Sequence, residues 1–303
     1  MTKIAQTVKS MPTGHPPLSQ PPLHPTVPKH KGPAGSTDCH MHIFGAPERY
    51  PLSHVCDYTP SPEAHIENYK TMAKVLGIDR AVIVNPTPYG KDHTATIDSI
   101  EILGRKRTRA VALIDNEFSN AELLELSAMG FVAARVNGVN ANSTPVGKLG
   151  EVARRIAPLG WHLELYVDGS ALPELEDTIL SLPVSVVIDH LGKISASRGI
   201  NSPEFKTLLR LLESGKCWVK LCGYRSSVQG PPYDDLLEQA QKIITTAPDR
   251  CVWGTDWPHP RREGPLLPDD GMLIDLLYKW AGNDEQFHRI LVENPAKLYH
   301  FDS

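Results

Sequence analysis

From Ser36 onward, short runs rich in β-branched and aliphatic residues alternate with longer stretches in which apolar residues recur at helical spacing. The runs centre near Asp38, Ile83, Ala112, Ala134, Leu165, Val187, Val219 and Val252, and they read as eight strands. Their mean separation is about thirty residues, the length of a strand followed by a crossover helix. Polar punctuation supports the helices between them. Ser61-Pro62 opens one that Gly77 closes, Ser119 and Glu122 make a capping box for one closed by Gly130, and Ser202-Pro203 opens one closed by Gly215. Two further segments, Asp269 to Gly282 and Asp284 to Glu293, finish the chain.

Eight such units predict an α/β protein built as a single (β/α)8 TIM-type barrel over residues 36–303, with a doubly wound open sheet as the alternative. No G-x-G-x-x-G follows the first strand and no G-x-x-x-x-G-K-[ST] occurs, which removes the best support for a nucleotide-binding sheet. Residues 1–35 break the pattern. Eight prolines fall in the first 36 residues with almost no aliphatic run, so this stretch suits neither a signal peptide nor a spanning helix and reads as an extended proline-rich arm. It could lie over its own domain or over a neighbouring subunit.

Composition narrows the function classes. An apolar content of 41% with 22% charged residues is that of a globular protein. A net charge of −4 argues against nucleic-acid binding, which needs a concentrated basic surface. Five cysteines, Cys39, Cys56, Cys217, Cys222 and Cys251, show neither C-x-x-C pairing nor disulfide spacing, so a reducing cytoplasm is the expected location. No membrane partner is expected, and homo-oligomerisation is left open.

In a barrel, chemistry collects at the C-terminal ends of the strands. Strand 1 carries Asp38, His40 and His42 at alternate positions, which would put all three on one face with Cys39, Met41 and Ile43 turned to the helices. Strand 6 stops at His190, and strand 8 ends in Gly254-Thr-Asp-Trp-Pro-His259, where Asp256 can reach the centre. Arg135 ends an apolar strand 4 and needs an anion, from the protein or from a ligand. Arg225 sits on the loop after strand 7; Thr87, Tyr166, His259 and Arg261 are further candidates to line the mouth. Glu164 and His162 are expected deeper in the barrel.

D-x-H-x-H on strand 1, I-D-H-L-G-K on strand 6 and G-T-D-W-P-H on strand 8 together resemble the amidohydrolase superfamily, in its amidohydrolase-related branch. The set is similar to the 2-pyrone-4,6-dicarboxylate lactonases and to the related sulfomuconolactone hydrolases and galactarolactone isomerases, over about Thr37 to Tyr299. The resemblance implies a lactonase of aromatic or sugar-acid catabolism acting on a small carboxylated lactone. In it Asp256 deprotonates water, His40, His42 and His190 polarise the carbonyl, and Arg135, Arg225 and Arg261 hold substrate carboxylates. It implies no cofactor, since strand 5 offers Tyr166 where most of the superfamily has another ligand. The alternative is one divalent metal such as Zn2+ on His40, His42, His190 and Asp256. Lactonases of pyrone dicarboxylate carry additional arginines around strand 4, where this chain has Val132 and Gly138 to Asn142. A substrate with one carboxylate or a sugar-acid lactone is the corresponding expectation. A zinc-dependent decarboxylase or amide hydrolase, a lactone isomerase and a catalytically silent binding barrel are the competing readings.

Overall fold

A computed structural model describes residues 23–302 apart from 57, 141 and 261–266. Eight parallel strands pair in chain order: β1 (Thr37–Met41), β2 (Arg80–Val84), β3 (Thr108–Ala112), β4 (Phe131–Asn137), β5 (His162–Tyr166), β6 (Val186–Ile188), β7 (Cys217–Lys220) and β8 (Cys251–Val252). Each of the eight strand centres inferred from the pattern falls inside one of them or, for Ala112 and Val252, at its end. The last strand returns to the first: Cys39 N donates to Trp253 O, Asp256 N to His40 O and His42 N to Trp257 O, each at 2.8 Å. Gly254 permits this closure, because a Cβ there would stand 2.7 Å from His40 N. The sheet is a closed barrel of the TIM type.

The helices are α1 (Ile66–Leu76), α2 (Thr94–Leu103), α3 (Asn120–Ala128), α4 (Leu149–Ile156), α5 (Leu172–Ser181), α6 (Pro203–Glu213), α7 (Leu237–Thr246), α8 (Asp270–Ala281), α9 (Asp284–His288) and α10 (Asn294–Tyr299). Ser119 and Glu122 form the reciprocal capping box expected of α3, and Ser202 caps α6. The first helix differs from expectation. It starts at Ile66, because Ser61 spends its hydroxyl on Glu63 N in a local turn and opens no helix. Segment 284–293 is α9 followed by a π-helical stretch that leads into α10.

Outward-facing strand residues such as Ile83, Val136, Leu163 and Ile188 pack against the helices. Val82, Val84, Val111, Ala133, Val187, Trp218 and Val252 fill the interior. Each such fully buried aliphatic side chain stabilises the fold by about 1.5–3 kcal/mol. Leu298, Tyr299 and Phe301 belong to the same cluster and floor the barrel, with the Arg80 and Arg109 guanidinium groups 5.1 and 4.7 Å from the Phe301 ring centre.

The alternation inferred for strand 1 is overturned. The β1–β2 register carries one extra residue on β1 between Asp38 and Met41, a bulge that reverses the facing of what precedes it. Cys39 therefore joins the interior cluster. Asp38 turns toward α1 and β8, accepting from Tyr69 OH and from both the amide and the hydroxyl of Thr255.

Residues 1–22 of the proposed arm lie outside the described residues. Residues 26–30 run along α8 of their own barrel, where Lys29 N and His30 N donate to Asp275 and the His30 ring stacks on Tyr278 at 3.7 Å, and Gly32 N then donates to Leu76 O at the end of α1. Among the described residues no helix is long and apolar enough to cross a membrane.

Candidate active site

The bulge that turns Asp38 outward leaves His40 and His42 facing the barrel mouth. Their rings meet edge to face at 5.0 Å, and the His190 ring lies 4.7 Å from His40. His190 starts a turn at positive φ (53°) after β6, which swings its ring back over the barrel and edge-on to Tyr166 at 5.0 Å. Asp256 also has a left-handed backbone (φ 62°), a costly conformation for a residue with a Cβ. It is held by the Asp256 N to His40 O bond and by His259 N donating to Asp256 O. The four residues chosen from sequence thus converge.

The two carboxylate oxygens of Asp256 differ. Oδ2 accepts from Tyr224 OH and from Arg225 Nε, each at 2.5 Å, and Arg225 also donates to Pro260 O. Oδ1 has no hydrogen-bond partner among the described residues and faces His42 Nε2 at 3.4 Å and His40 Nε2 at 3.7 Å. Burial alone would raise the Asp256 pKa, but Arg225 and the histidines outweigh it and hold the carboxyl well below its usual range. His190 is pushed down to about 3, chiefly by burial, and is neutral at pH 7.

Beneath this layer lies a second buried group that sequence reasoning passed over. Lys220, the last residue of β7, is fully buried. Its ammonium lies 2.8 Å from Glu164 Oε1, 3.1 Å from Asp189 Oδ1 and 3.1 Å from His40 Nδ1. Arg135 takes the other oxygen of Asp189 through Nε and NH2, at 2.9 and 2.7 Å. The anion that Arg135 needs is therefore a protein carboxylate, although Arg135 also lines the mouth. Burial lowers the Lys220 pKa, yet Asp189 and Glu164 more than compensate, so it stays charged. Lysine in the run Cys217-Trp-Val-Lys220, at the same inward parity as Trp218, was the available signal. Tyr224 gave none beyond its place next to Arg225.

The mouth is lined by His42, Thr87, Arg135, Tyr166, His190, Arg225 and Asp256, joined by Tyr58 and Asn140 from loops. It encloses about 30 Å³, room for water and too little for a lactone ring, so a substrate must displace part of the lining. His259 stands behind this wall, its Nε2 3.2 Å from Asp270 and its ring against Tyr224. His162 lies deep, against Tyr299. Arg261 lies outside the described residues.

His40, His190 and Asp256 bring ligand atoms within 4.8 Å of one another, as do His40, Glu164 and Asp189. These are zinc's preferred residue types. Neither set fits a divalent ion as it stands. Lys220 already occupies the second, and its ammonium, which can only donate, takes the lone pair of His40 Nδ1. A neutral His40 then carries its proton on Nε2, the atom a metal in the first set would need free.

A family model described as amidohydrolase matches residues 37–301. The chain is 37% identical over 288 residues to a 2-pyrone-4,6-dicarboxylate hydrolase of Comamonas testosteroni, covering 91% of this chain and 93% of the relative. It is 34% identical over 274 residues to a 4-sulfomuconolactone hydrolase of Hydrogenophaga intermedia, covering 88% and 89%. A solved ligand-free structure from Agrobacterium tumefaciens superposes with a TM-score of 0.84 at 30% identity, covering 91% of this chain and 99% of that one.

Proposed function

The chain belongs to the amidohydrolase family, and from that premise we propose that it hydrolyses a small carboxylated lactone without a metal ion. The observation that carries this reading is that His40, His190 and Asp256, which bring side-chain nitrogen and oxygen atoms within 4.8 Å of one another, each keep a buried atom that lacks a hydrogen-bond partner among the described residues: His40 Nε2, His190 Nδ1 and Asp256 Oδ1. Buried polar atoms without partners are costly, and a reacting group placed among them would satisfy all three.

The roles follow from donor and acceptor chemistry. His42 Nδ1 lies 2.8 Å from Val84 O, which accepts its proton, so a neutral His42 presents Nε2 as an acceptor beside Asp256 Oδ1. A water lying against both donates one proton to each and keeps a lone pair for attack. This differs from the part assigned to His42 by resemblance, polarising the carbonyl. His40 Nε2–H remains a donor for the carbonyl oxygen and for the oxyanion that develops on it. Water adds to the carbonyl carbon as its proton passes to Asp256. The ring C–O bond then breaks, and the proton goes to the departing ring oxygen, giving the ring-opened acid.

The reading is tested with Asp256→Asn on carboxylated lactones that raise the melting temperature of the wild-type protein. Loss of ring opening by about 10²–10⁴-fold, with unchanged circular dichroism, is expected. Wild-type turnover in that variant would sink the assignment. Dialysis against a chelator is expected to leave the rate unchanged, and chelator-sensitive turnover restored by zinc would transfer the reading to a metal hydrolase.

A further inference from the structure

We propose that Lys220 is a positioning residue: by donating to His40 Nδ1 it fixes the imidazole proton on Nε2, aimed at the reacting oxygen. The inference rests on the lactonase reading only for what His40 does, not for how its proton is placed.

A lysine ammonium has three protons and no lone pair. Here it hydrogen-bonds Glu164 Oε1 at 2.8 Å and His40 Nδ1 at 3.1 Å, and the Asp189 Oδ1 charge, 3.1 Å away, holds it between them, so one proton is directed at His40 Nδ1. The competing arrangement would have His40 Nδ1–H donate to Asp189 Oδ1, but that separation is 3.6 Å, too long for a hydrogen bond. Asp189 is held in place from its other oxygen by Arg135, and Glu164 Oε1 itself also accepts from Tyr299 OH at 3.1 Å, which leaves Lys220 little room to turn away. The floor of the barrel and strands β4, β5, β6 and β7 thus act together on one proton of a β1 histidine. Without the ammonium, the nearest partner for Nδ1 is the Asp189 carboxylate. The proton would then move to Nδ1, and Nε2 would present a lone pair to a developing oxyanion, which repels it.

Nitrogen-15 NMR of histidine-labelled wild-type protein at neutral pH reads the tautomer directly, with the His40 signals identified by their loss in His40→Gln. The expected result is the Nε2–H form; an Nδ1–H form in the wild type overturns the proposal. Lys220→Met leaves two buried carboxylates without their cation and is liable to misfold. The double variant Lys220→Met/Glu164→Gln removes a charge of each sign and is the companion. In whichever of the two folds, His40 is expected to switch to Nδ1–H, and kcat to fall about 10²-fold, the loss typical of one oxyanion donor, while KM changes less than about threefold. An Nε2–H tautomer that persists without Lys220, or an unchanged kcat, overturns the proposal. Should the wild type open no lactone at all, the functional reading fails by itself and the tautomer measurement still judges Lys220.

Discussion

On the proposed mechanism, Arg225 holds the one carboxylate that the chemistry needs, and the mouth, at about 30 Å³, is too small to admit a lactone while it does so. Both Arg225 Nε and NH2 lie 2.5 Å from Asp256 Oδ2. A substrate carboxylate entering the mouth offers Arg225 an equivalent partner. Transfer of the guanidinium from Asp256 to the substrate keeps its hydrogen bonds and frees the base, whose pKa Arg225 otherwise holds down. A lactone whose carboxylate is replaced by a carboxamide cannot compete for the guanidinium. It forgoes charge-assisted hydrogen bonds of about 1.5–3 kcal/mol each, and with the weaker contacts an amide retains, a net loss of about 3 kcal/mol follows. That corresponds to a kcat/KM about 150-fold lower for the amide in the wild type.

Arg225→Gln should collapse this discrimination. Turnover of the carboxylated lactone is expected to fall about 10²-fold, because the clamp is gone. The amide should lose less than about threefold or gain, because Asp256 keeps only Tyr224 OH on Oδ2 and becomes a stronger base. The assay is steady-state kinetics on the matched pair, with melting temperatures to confirm folding. Equal losses on both substrates, or a wild-type enzyme indifferent to the amide replacement, would refute the exchange and leave Arg225 as a prop for Asp256.

Two further predictions concern pH. His40 is held well below its usual range and His190 at about 3, so both rings should keep neutral nitrogen-15 signals from pH 7 down to 5, where an ordinary histidine would be about 97% protonated. Burial pushes Asp38 up to about 6, so the titration is repeated in Asp38→Asn, and protonation of the His40 or His190 ring in that range there would contradict the site electrostatics. For stability, His93 (about 4), His162 (about 3) and His190 (about 3) are all depressed by burial, so their contribution is complete above about pH 6.5 and is lost as pH falls toward 3–4. Asp38 acts with the opposite sign, so these three histidines against that one carboxyl leave a net uptake of two protons on unfolding. Urea midpoints should therefore report a loss of about 3 kcal/mol per pH unit between about pH 6 and 4, and a flat profile there would refute it.

Periodicity made the barrel legible because each strand is a short apolar run separated by helix punctuation, and closure in chain order follows from eight such units. The four convergent residues were legible for a related reason: histidines and aspartates at strand ends have few structural uses. The bulge was not. One extra residue in β1 leaves no mark on the hydrophobic pattern yet reverses Asp38, which a strict period of two had placed beside the histidines. Lys220 left no clearer mark, since a charged residue inside a strand reads as an edge or an exposed face unless carboxylates such as Glu164 and Asp189 stand opposite it. Arg135 illustrates a limit of another kind. Its need for an anion was evident, but the choice between protein and substrate depended on Asp189, 54 residues away and next to a histidine that drew the attention.

The buried charges divide into two systems with different tasks. Arg135, Lys220, Asp189 and Glu164 form a closed lower group, in which both carboxylates are paired within the protein and a divalent ion would have to displace a cation already seated. Burying such a group costs several kcal/mol per ion before pairing, so it is a poor source of stability compared with apolar packing. Its value lies in rigidity: it fixes one imidazole proton. The upper group is a single pair, Arg225 with Asp256, and unlike the lower one it borders the mouth. A carboxylated substrate can enter by exchange at that pair without adding an unbalanced charge to the lower group. A neutral substrate brings nothing to exchange. On the proposed mechanism, selectivity for an acidic lactone and activation of the base then become one event, located in the two nitrogens that Arg225 extends toward Asp256.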